Sequence, residues 1–350
     1  MVPLPSDRVT IKSRWLFKIK PGHNNVPERY KARLVAKGYT QREGIDYRDT
    51  YAPVVKHTAL RVILSLVAAL DLDMTQLDVK TAFLHGDSEE EIFMEQPEGF
   101  VSPEREKDVC RLIKSIYGLK QAPRCWNNKF NNFLIKFGLT RSTSDSCIYY
   151  RRQGEEFTVV AIFVDDGLIC SNEPESLSAI LAHLRTEFEM TTSEANRYLG
   201  LNITRDRPLR QLFVNQNHYI ENILKKFNMA TCNPKSIPAD PNARMSAEMA
   251  PKTENAVKEM SSVPYREAIG SLMYLMVMTR PDIAFAVNQV SQYCQNPGPG
   301  HWNGVKRILA FLAGTSNRGL LFKKNDEGSL IGYCDADYAG DADKRRSTTG

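Results

Sequence analysis

No C-x-x-C pair occurs anywhere in these 350 residues. The seven cysteines (Cys110, Cys125, Cys147, Cys170, Cys232, Cys294 and Cys334) are odd in number and widely spaced, and the six histidines do not gather near them. This argues against a zinc site and against a disulfide framework, and for a reducing compartment. The opening MVPLPSDRVT lacks the charged-then-apolar pattern of a secretory signal. The longest apolar stretch, AIGSLMYLMVM at 268–278, is too short to span a bilayer and contains Gly270 and Ser271. There is no internal repeat and no low-complexity tract. A soluble intracellular protein without a membrane partner is expected.

Neither sign of charge dominates, since the net charge is only +5. Its placement is uneven. Residues 1–50 hold eleven basic and five acidic residues, more than the net excess of the whole chain. Such a patch fits a polyanion partner, and a merely solvated basic face fits it equally well. The length allows a full core and more than one domain.

The most unusual stretch is AIFVDDGLIC at 161–170. Asp165 and Asp166 interrupt two apolar runs that read as strand, turn, strand. Adjacent carboxylates repel and are costly to desolvate, and a cation relieves both problems. An acidic turn facing water is the plainer alternative. Asp78 ends another apolar strand, DMTQLDV at 73–79, and lies 87 residues before Asp165. Three carboxylates at strand ends suit two divalent cations and phosphoryl transfer. Spacing alone does not show that Asp78 meets the pair.

Elsewhere, period-two alternation predicts strands at 15–20 and 29–37, joined by the turn cluster PGHNN at 21–25. Arg29, Lys31, Arg33 and Lys37 fall on one side of that hairpin. Helical spacing predicts helices at 58–72, capped by Thr58, at 122–138, stopped by Gly138, at 175–190 and at 217–227. Strands are expected at 157–164 and on either side of RDRP at 205–208. Residues 233–262 read as a linker. A second, helical region follows through 301–314, and LIGYCDADYAG at 330–340 reads as strand again. Irregular mixing of strands and helices indicates α+β rather than a doubly wound sheet.

Seven blocks occur in an order that resembles the reverse transcriptase of copia-type retrotransposon polyproteins. They are QLDVKTAFLHGD, EQPEGF, SIYGLKQAPR, FVDD, YLGLNI, RPDIAFAVNQVSQY and HWNGVKRIL. The likeness runs from about Trp15 to the end. It implies a reverse-transcriptase right hand of fingers, palm and thumb, then a helical connection region and a truncated RNase H-like start. The expected division is fingers, palm and the start of the thumb at 1–232, a linker at 233–262, a helical thumb or connection region at 263–325, and the RNase H-like start at 326–350.

The resemblance implies an RNA-directed DNA polymerase that adds deoxynucleotides to a primer with two Mg²⁺ or Mn²⁺ ions. Asp78, Asp165 and Asp166 match the palm aspartates, and Val79 would offer its carbonyl to a metal. Phe83 matches the bulky residue under the incoming sugar; otherwise it is a core aromatic. Tyr117 and Gly118 match the block that packs on nucleotide and template; otherwise Tyr117 is a buried tyrosine. Lys31, Arg33 and Lys37 sit where the fingers hold the triphosphate, although a solvated strand face explains them as well. Leu199 and Gly200 match the turn of the primer-holding hairpin, and Asp335 the first acidic ligand of RNase H. Asp337, Asp341 and Asp343 are too close together to replace ligands from later elements and should face water. Residues beyond about 330 should be loosely held without the rest of that domain.

The implied partners are an RNA or DNA template with primer and deoxynucleoside triphosphates. The implied location is cytoplasmic, in a virus-like particle. TTSEANRYLG at 191–200 departs from the family's DLGEL-like run, which affects a loop only. No protease, integrase or zinc-knuckle segment accompanies the match, so a piece of a polyprotein or a degraded copy is expected. A catalytically silent nucleic-acid-binding remnant or domesticated protein is the alternative. All three aspartates being intact counts against decay. A two-metal nuclease is disfavoured by the basic fingers and Phe83.

Overall fold

The computed structural model describes residues 1–20, 27–240, 242–243, 245–324 and 331–349. They gather into two compact units, Met1–Leu60 with Leu72–Glu194, and Arg61–Asp71 with Ala195–Gly350. Helices and antiparallel sheets are mixed, as the α+β reading requires. The PGHNN turn lies outside the described residues.

The first unit begins with a hairpin of β1 (Ser13–Lys20) and β2 (Arg29–Ala36). Alternation gives it two chemically different faces. Trp15, Phe17 and Ile19 lie opposite Leu34, Ala32 and Tyr30, whereas Lys18 lies opposite Lys31 and Leu16 opposite Arg33. The strand stops at Ala36. Lys37 is outside it and opens a 3₁₀ turn at Gly38–Thr40, so it does not continue the basic row that alternation predicts.

Helix α1 (His57–Leu70) follows and is shared by the two units. It buries Leu60, Ile63, Leu64, Val67 and Ala68, the helical stripe read from the sequence. Thr58 lies inside the helix and not ahead of it as a cap. Next come β3 (Asp73–Val79), β4 (Asp87–Met94), β5 (Cys110–Lys114) and α2 (Ala122–Lys136). Gly138, at φ 93°, takes the left-handed conformation that ends α2 cheaply. The remaining elements of this unit are β6 (Thr140–Arg141), β7 (Ile148–Gln153), β8 (Glu156–Phe163), β9 (Asp166–Ser171), α3 (Pro174–Glu187) and β10 (Met190–Glu194).

Six of these strands form one antiparallel sheet in the order β10-β3-β9-β8-β7-β6. Its middle is apolar. Val159, Val160, Ala161 and Ile162 of β8 and Leu168, Ile169 and Cys170 of β9 are all buried, so both faces of these strands are covered. Rings tie α2 to the end of α3. Trp126, Phe130 and Phe133 each lie within 6 Å of Phe188, and Phe133 stacks on His183 at 4.3 Å. The β4–β5 hairpin escaped the sequence reading because four acidic residues open β4, and only Ile92, Phe93 and Met94 are buried.

The second unit holds β11 (Arg197–Tyr198), β12 (Leu201–Asp206), β13 (Gln211–Asn215), α4 (Asn217–Lys226), α5 (Glu254–Ser261), α6 (Tyr265–Met278), α7 (Ala284–Ser291), α8 (Pro299–Gly314) and β14 (Gly319–Lys323). The sheet order is β11-β12-β13-β14, and α4, α6, α7 and α8 close a core around Ile220, Leu272, Val287 and Leu309. None of the helices among the described residues is long and apolar enough to cross a membrane.

Three expectations change here. The segment read as linker contains α5, started by Thr253, whose side chain accepts a hydrogen bond from the Ala256 amide. The strand expected at 330–340 is absent among the described residues. Residues 331–349 carry only an isolated bridge between Ala336 and Thr349, and a strand the sequence reading did not expect, β14, pairs with β13. Five residues with half-buried alternation are too weak a signal to find without their partner. Asp341 caps a local turn through the amides of Asp343 and Lys344, and Asp337 accepts from Thr348. Asp343 does more than face water, because it accepts hydrogen bonds from the Ala247 amide and the Tyr293 hydroxyl.

Arg280 is the largest fully buried side chain and is 1% exposed. Its guanidinium forks onto both oxygens of Asp282 at 2.8 Å and donates to the carbonyl and hydroxyl of Thr315 after α8. A buried cation is tolerated only when it is paired and hydrogen-bonded in this way. Arg280→Met should therefore cost about 2 kcal/mol, since it leaves the Thr315 carbonyl and hydroxyl at the end of α8 without their donor while the exposed Asp282 stays in water. A urea titration with an unchanged m-value measures this. A shift under about 1 kcal/mol would show that the fork contributes little.

Candidate active site

The candidate site is built on three neighbouring strands. In the β3–β9 ladder Asp78 is the direct partner of Asp166, and in the β8–β9 ladder Phe163 is. Direct partners in an antiparallel pair project from the same face, roughly 4.5–5.5 Å apart at Cβ. Asp165 occupies the turn beside them, and its carbonyl accepts the Val79 amide at 2.9 Å, extending the β3–β9 pairing by one residue. Asp78, Asp165 and Asp166 thus come together at one end of the sheet's central strands, with Val79 next to them.

Nothing about this arrangement is electrostatically comfortable. Asp78 and Asp165 are exposed, whereas Asp166 is half-buried. Burial raises the Asp166 carboxyl above its ordinary value; the Asp165 and Asp78 charges add to this, and a hydrogen bond to Gln76 partly offsets them. Among the described residues no three His, Cys, Asp or Glu side chains close a ready metal cage. The fold supplies the register, and the donor chemistry is that of a hard divalent cation: carboxylates beside a backbone carbonyl.

The turn itself is strained. Val164 sits at φ 59°, a left-handed conformation that a β-branched residue avoids. Trp126 of α2, only 2% exposed, donates its indole N–H to the Val164 carbonyl at 2.6 Å. A helix therefore pins the turn that carries Asp165. The sequence reading did not single out Trp126. Its signal was available: an indole on an apolar helix face needs an acceptor for its N–H. At the base of the turn, Gly167 leaves room for Leu77, whose Cδ1 would lie 2.8 Å from an added Cβ.

Beyond the aspartates the chain bends through Thr81, at φ 53°, into a 3₁₀ turn at Ala82–Leu84 that holds Phe83. The ring of Phe83 meets that of Tyr117 edge-on at 5.3 Å, and the Arg33 guanidinium lies 5.2 Å over the other ring of the pair, Tyr117. Three predicted residues from distant positions thus form one continuous stack. Gly118 makes this possible. Its φ is 90°, and a Cβ there would fall 2.1 Å from the Ala36 carbonyl, while the Ala36 amide donates to the Tyr117 carbonyl at 2.7 Å.

Two buried glutamines missed in the sequence brace the same turn. Gln41 accepts from the Lys120 amide and donates to Gln121 at 3.0 Å, and Gln121 donates to the Asp46 carbonyl and to Glu90. Lys31 shares the face of Arg33, and Lys37 is set apart in its turn. Leu199 and Gly200 form the β11–β12 turn of the second unit. Asp335 is exposed and accepts from the Ala336 amide, and among the described residues no carboxylate cluster able to hold a metal forms around it.

The profile of the family described as reverse transcriptase (RNA-dependent DNA polymerase) matches residues 1–241. The chain belongs to the reverse transcriptase family. It is 47% identical, over all of its length, to the retrovirus-related Pol polyprotein from transposon TNT 1-94 of Nicotiana tabacum, of which it covers 26%. It is 40% identical, again over its full length, to the Pol polyprotein from transposon RE1 of Arabidopsis thaliana, covering 23% of that protein. A putative transposon Ty5-1 protein of Saccharomyces cerevisiae is 28% identical over 78% of the chain, which covers 87% of that relative. The copia-type resemblance read from the ordered blocks therefore holds. This reverse transcriptase chain spans about a quarter of the length of the plant Pol polyproteins it matches.

Replacing the pinning indole tests the turn. Trp126→Phe in the reverse transcriptase chain keeps a ring but leaves the Val164 carbonyl without its donor. The expected cost is about 2 kcal/mol in urea unfolding. An unchanged midpoint would mean that the left-handed turn holds without α2.

Proposed function

We propose that this chain catalyses RNA-directed DNA synthesis, with the 3′-hydroxyl of a primer attacking the α-phosphorus of a deoxynucleoside triphosphate and pyrophosphate leaving. The carrying observation is the direct pairing of Asp78 with Asp166 beside Asp165. Asp78, Asp165, Asp166 and the Val79 carbonyl would hold two Mg²⁺ or Mn²⁺ ions. When bound, such ions neutralise the carboxylates and the charge that develops on the phosphate oxygens. The chain's own part is positioning and charge.

In this reading the β1–β2 hairpin belongs to the fingers, the six-stranded sheet is the palm, and the helices of the second unit serve as thumb and connection. Lys31 and Arg33 bind the triphosphate from one strand face, with Lys37 beside that strand. Arg33 also stacks on Tyr117, which steadies both. Phe83 presents its ring to the sugar and leaves no room for a 2′-hydroxyl. Tyr117 backs that ring, and Gly118 lets the turn approach the fingers strand. Leu199 and Gly200 hold the primer. Residues 326–350 are the opening of an RNase H-like domain, with Asp335 as its first acidic residue. The template is RNA or DNA, and the setting is a cytoplasmic virus-like particle.

The test is primer extension on poly(rA)–oligo(dT) with Mg²⁺ or Mn²⁺. The parent chain should extend. Asp165→Asn should keep template–primer binding and lose at least about a thousandfold in rate, corresponding to roughly 4 kcal/mol of barrier. Binding without any extension by the parent would instead favour a silent nucleic-acid-binding remnant.

The same assay separates the role of Phe83. Phe83→Ala should raise the kcat/KM for ribonucleotides relative to deoxyribonucleotides by about tenfold or more, because the vacated volume accepts a hydroxyl. An unchanged ratio in an active variant would return Phe83 to the core.

A further inference from the structure

The β11–β12 turn is poorly supported by its own sheet. β11 is two residues long and lies at the sheet edge, so the hairpin is closed by the pairs Arg197–Asn202 and Tyr198–Leu201 and by the Ile203 amide donating to the Asn196 carbonyl at 2.9 Å. Both turn residues are left-handed, Leu199 at φ 48° and Gly200 at φ 77°. Two positive φ values suit a two-residue hairpin turn, and glycine supplies one without strain. Leucine at the other costs about 1 kcal/mol or more. A contact from outside the strands adds to that hold.

That contact comes from α6. The Tyr274 hydroxyl donates to the Leu199 carbonyl at 3.1 Å. Gly200 is what lets it approach, because a Cβ there would lie 2.9 Å from the Tyr274 oxygen. The tyrosine is itself held. Its ring meets Tyr219 of α4 edge-on at 5.0 Å. Burial raises the Tyr274 hydroxyl above its ordinary value, so it stays protonated and able to donate through neutral and mildly alkaline pH. The turn is thereby fastened to α6 by one hydroxyl.

We propose that Tyr274 is a positioning residue that fixes the Leu199–Gly200 turn in the shape that receives the primer strand. This rests on the primer-holding role given to that turn above. The hydroxyl touches neither primer nor nucleotide; it sets the carbonyl and, through it, the backbone of the turn. Removing it leaves nucleotide recognition alone, because Arg33, Tyr117 and Phe83 are untouched.

The experiment uses the full chain and Tyr274→Phe, which keeps the ring and its packing. A primer ending in 4-thiothymidine is annealed to an RNA template and irradiated, and crosslinks to residues 197–203 are quantified. In the parent this peptide should crosslink. In Tyr274→Phe the yield should fall about fivefold, and kcat about tenfold, while the KM for deoxynucleotide stays within twofold and the melting temperature holds. A purely structural role would lower the melting temperature or move both kinetic parameters. Gly200→Ala, which crowds the hydroxyl, should reproduce the crosslink loss. No parental crosslink at 197–203, or equal yields in parent and Tyr274→Phe, overturns the proposal. A parent that crosslinks but never extends would refute the polymerase reading, and the crosslink comparison would still decide the role of Tyr274.

Discussion

Like charges forced into register are the constraint on which this structure turns. The ladder between β3 and β9 makes Asp78 and Asp166 direct partners, and the β8–β9 turn sets Asp165 beside them. Cross-strand repulsion of this kind weakens a sheet, and so does a valine in a left-handed turn. The surrounding structure supplies the compensation. β8 and β9 are buried on both faces, and the Trp126 indole holds the Val164 carbonyl. A rigid sheet whose central strands end in crowded carboxylates has the form expected of a site built for positive charge.

Around that end, side chains from well-separated parts of the sequence form one contiguous surface. Arg33 from the β2 strand, Tyr117 from the segment before α2 and Phe83 from the turn after β3 stack in a row. Their alignment depends on backbone contact, with Gly118 pressed on Ala36, and on the buried carboxamides of Gln41 and Gln121. Buried amides have little freedom once every donor and acceptor is used, so they specify geometry more than they add stability. The same economy recurs in the second unit. There the Arg280 fork joins the start of α7 to the end of α8, and the Tyr274 hydroxyl joins α6 to a two-residue turn.

Much of this was legible in the order of residues. The helical stripe of α1, the alternation of β1 and β2, the apolar-acid-acid-apolar pattern of β8 and β9 and the glycine stop of α2 each follow from local periodicity. The family membership was legible too, because seven blocks in a fixed order identify a copia-type reverse transcriptase. The short elements were harder. β4 opens with a run of acidic residues, β14 is five residues long, and α5 lies in a stretch rich in proline and serine, so none has a strong period of its own.

The sequence by itself determined which residues carry charge and which ring or hydroxyl is available, together with the local periods that make strands and helices. Only the tertiary structure decided that Asp78 faces Asp166 and not its neighbour in the ladder. A one-residue change of register would send Asp78 to the opposite face while leaving every local pattern intact. It also decided that Lys37 leaves the strand face, that Trp126 points its N–H at Val164, and that Tyr274 reaches Leu199 across 75 positions of chain. Partners of that kind are chosen by packing between distant segments, and no short-range pattern encodes the distance between them.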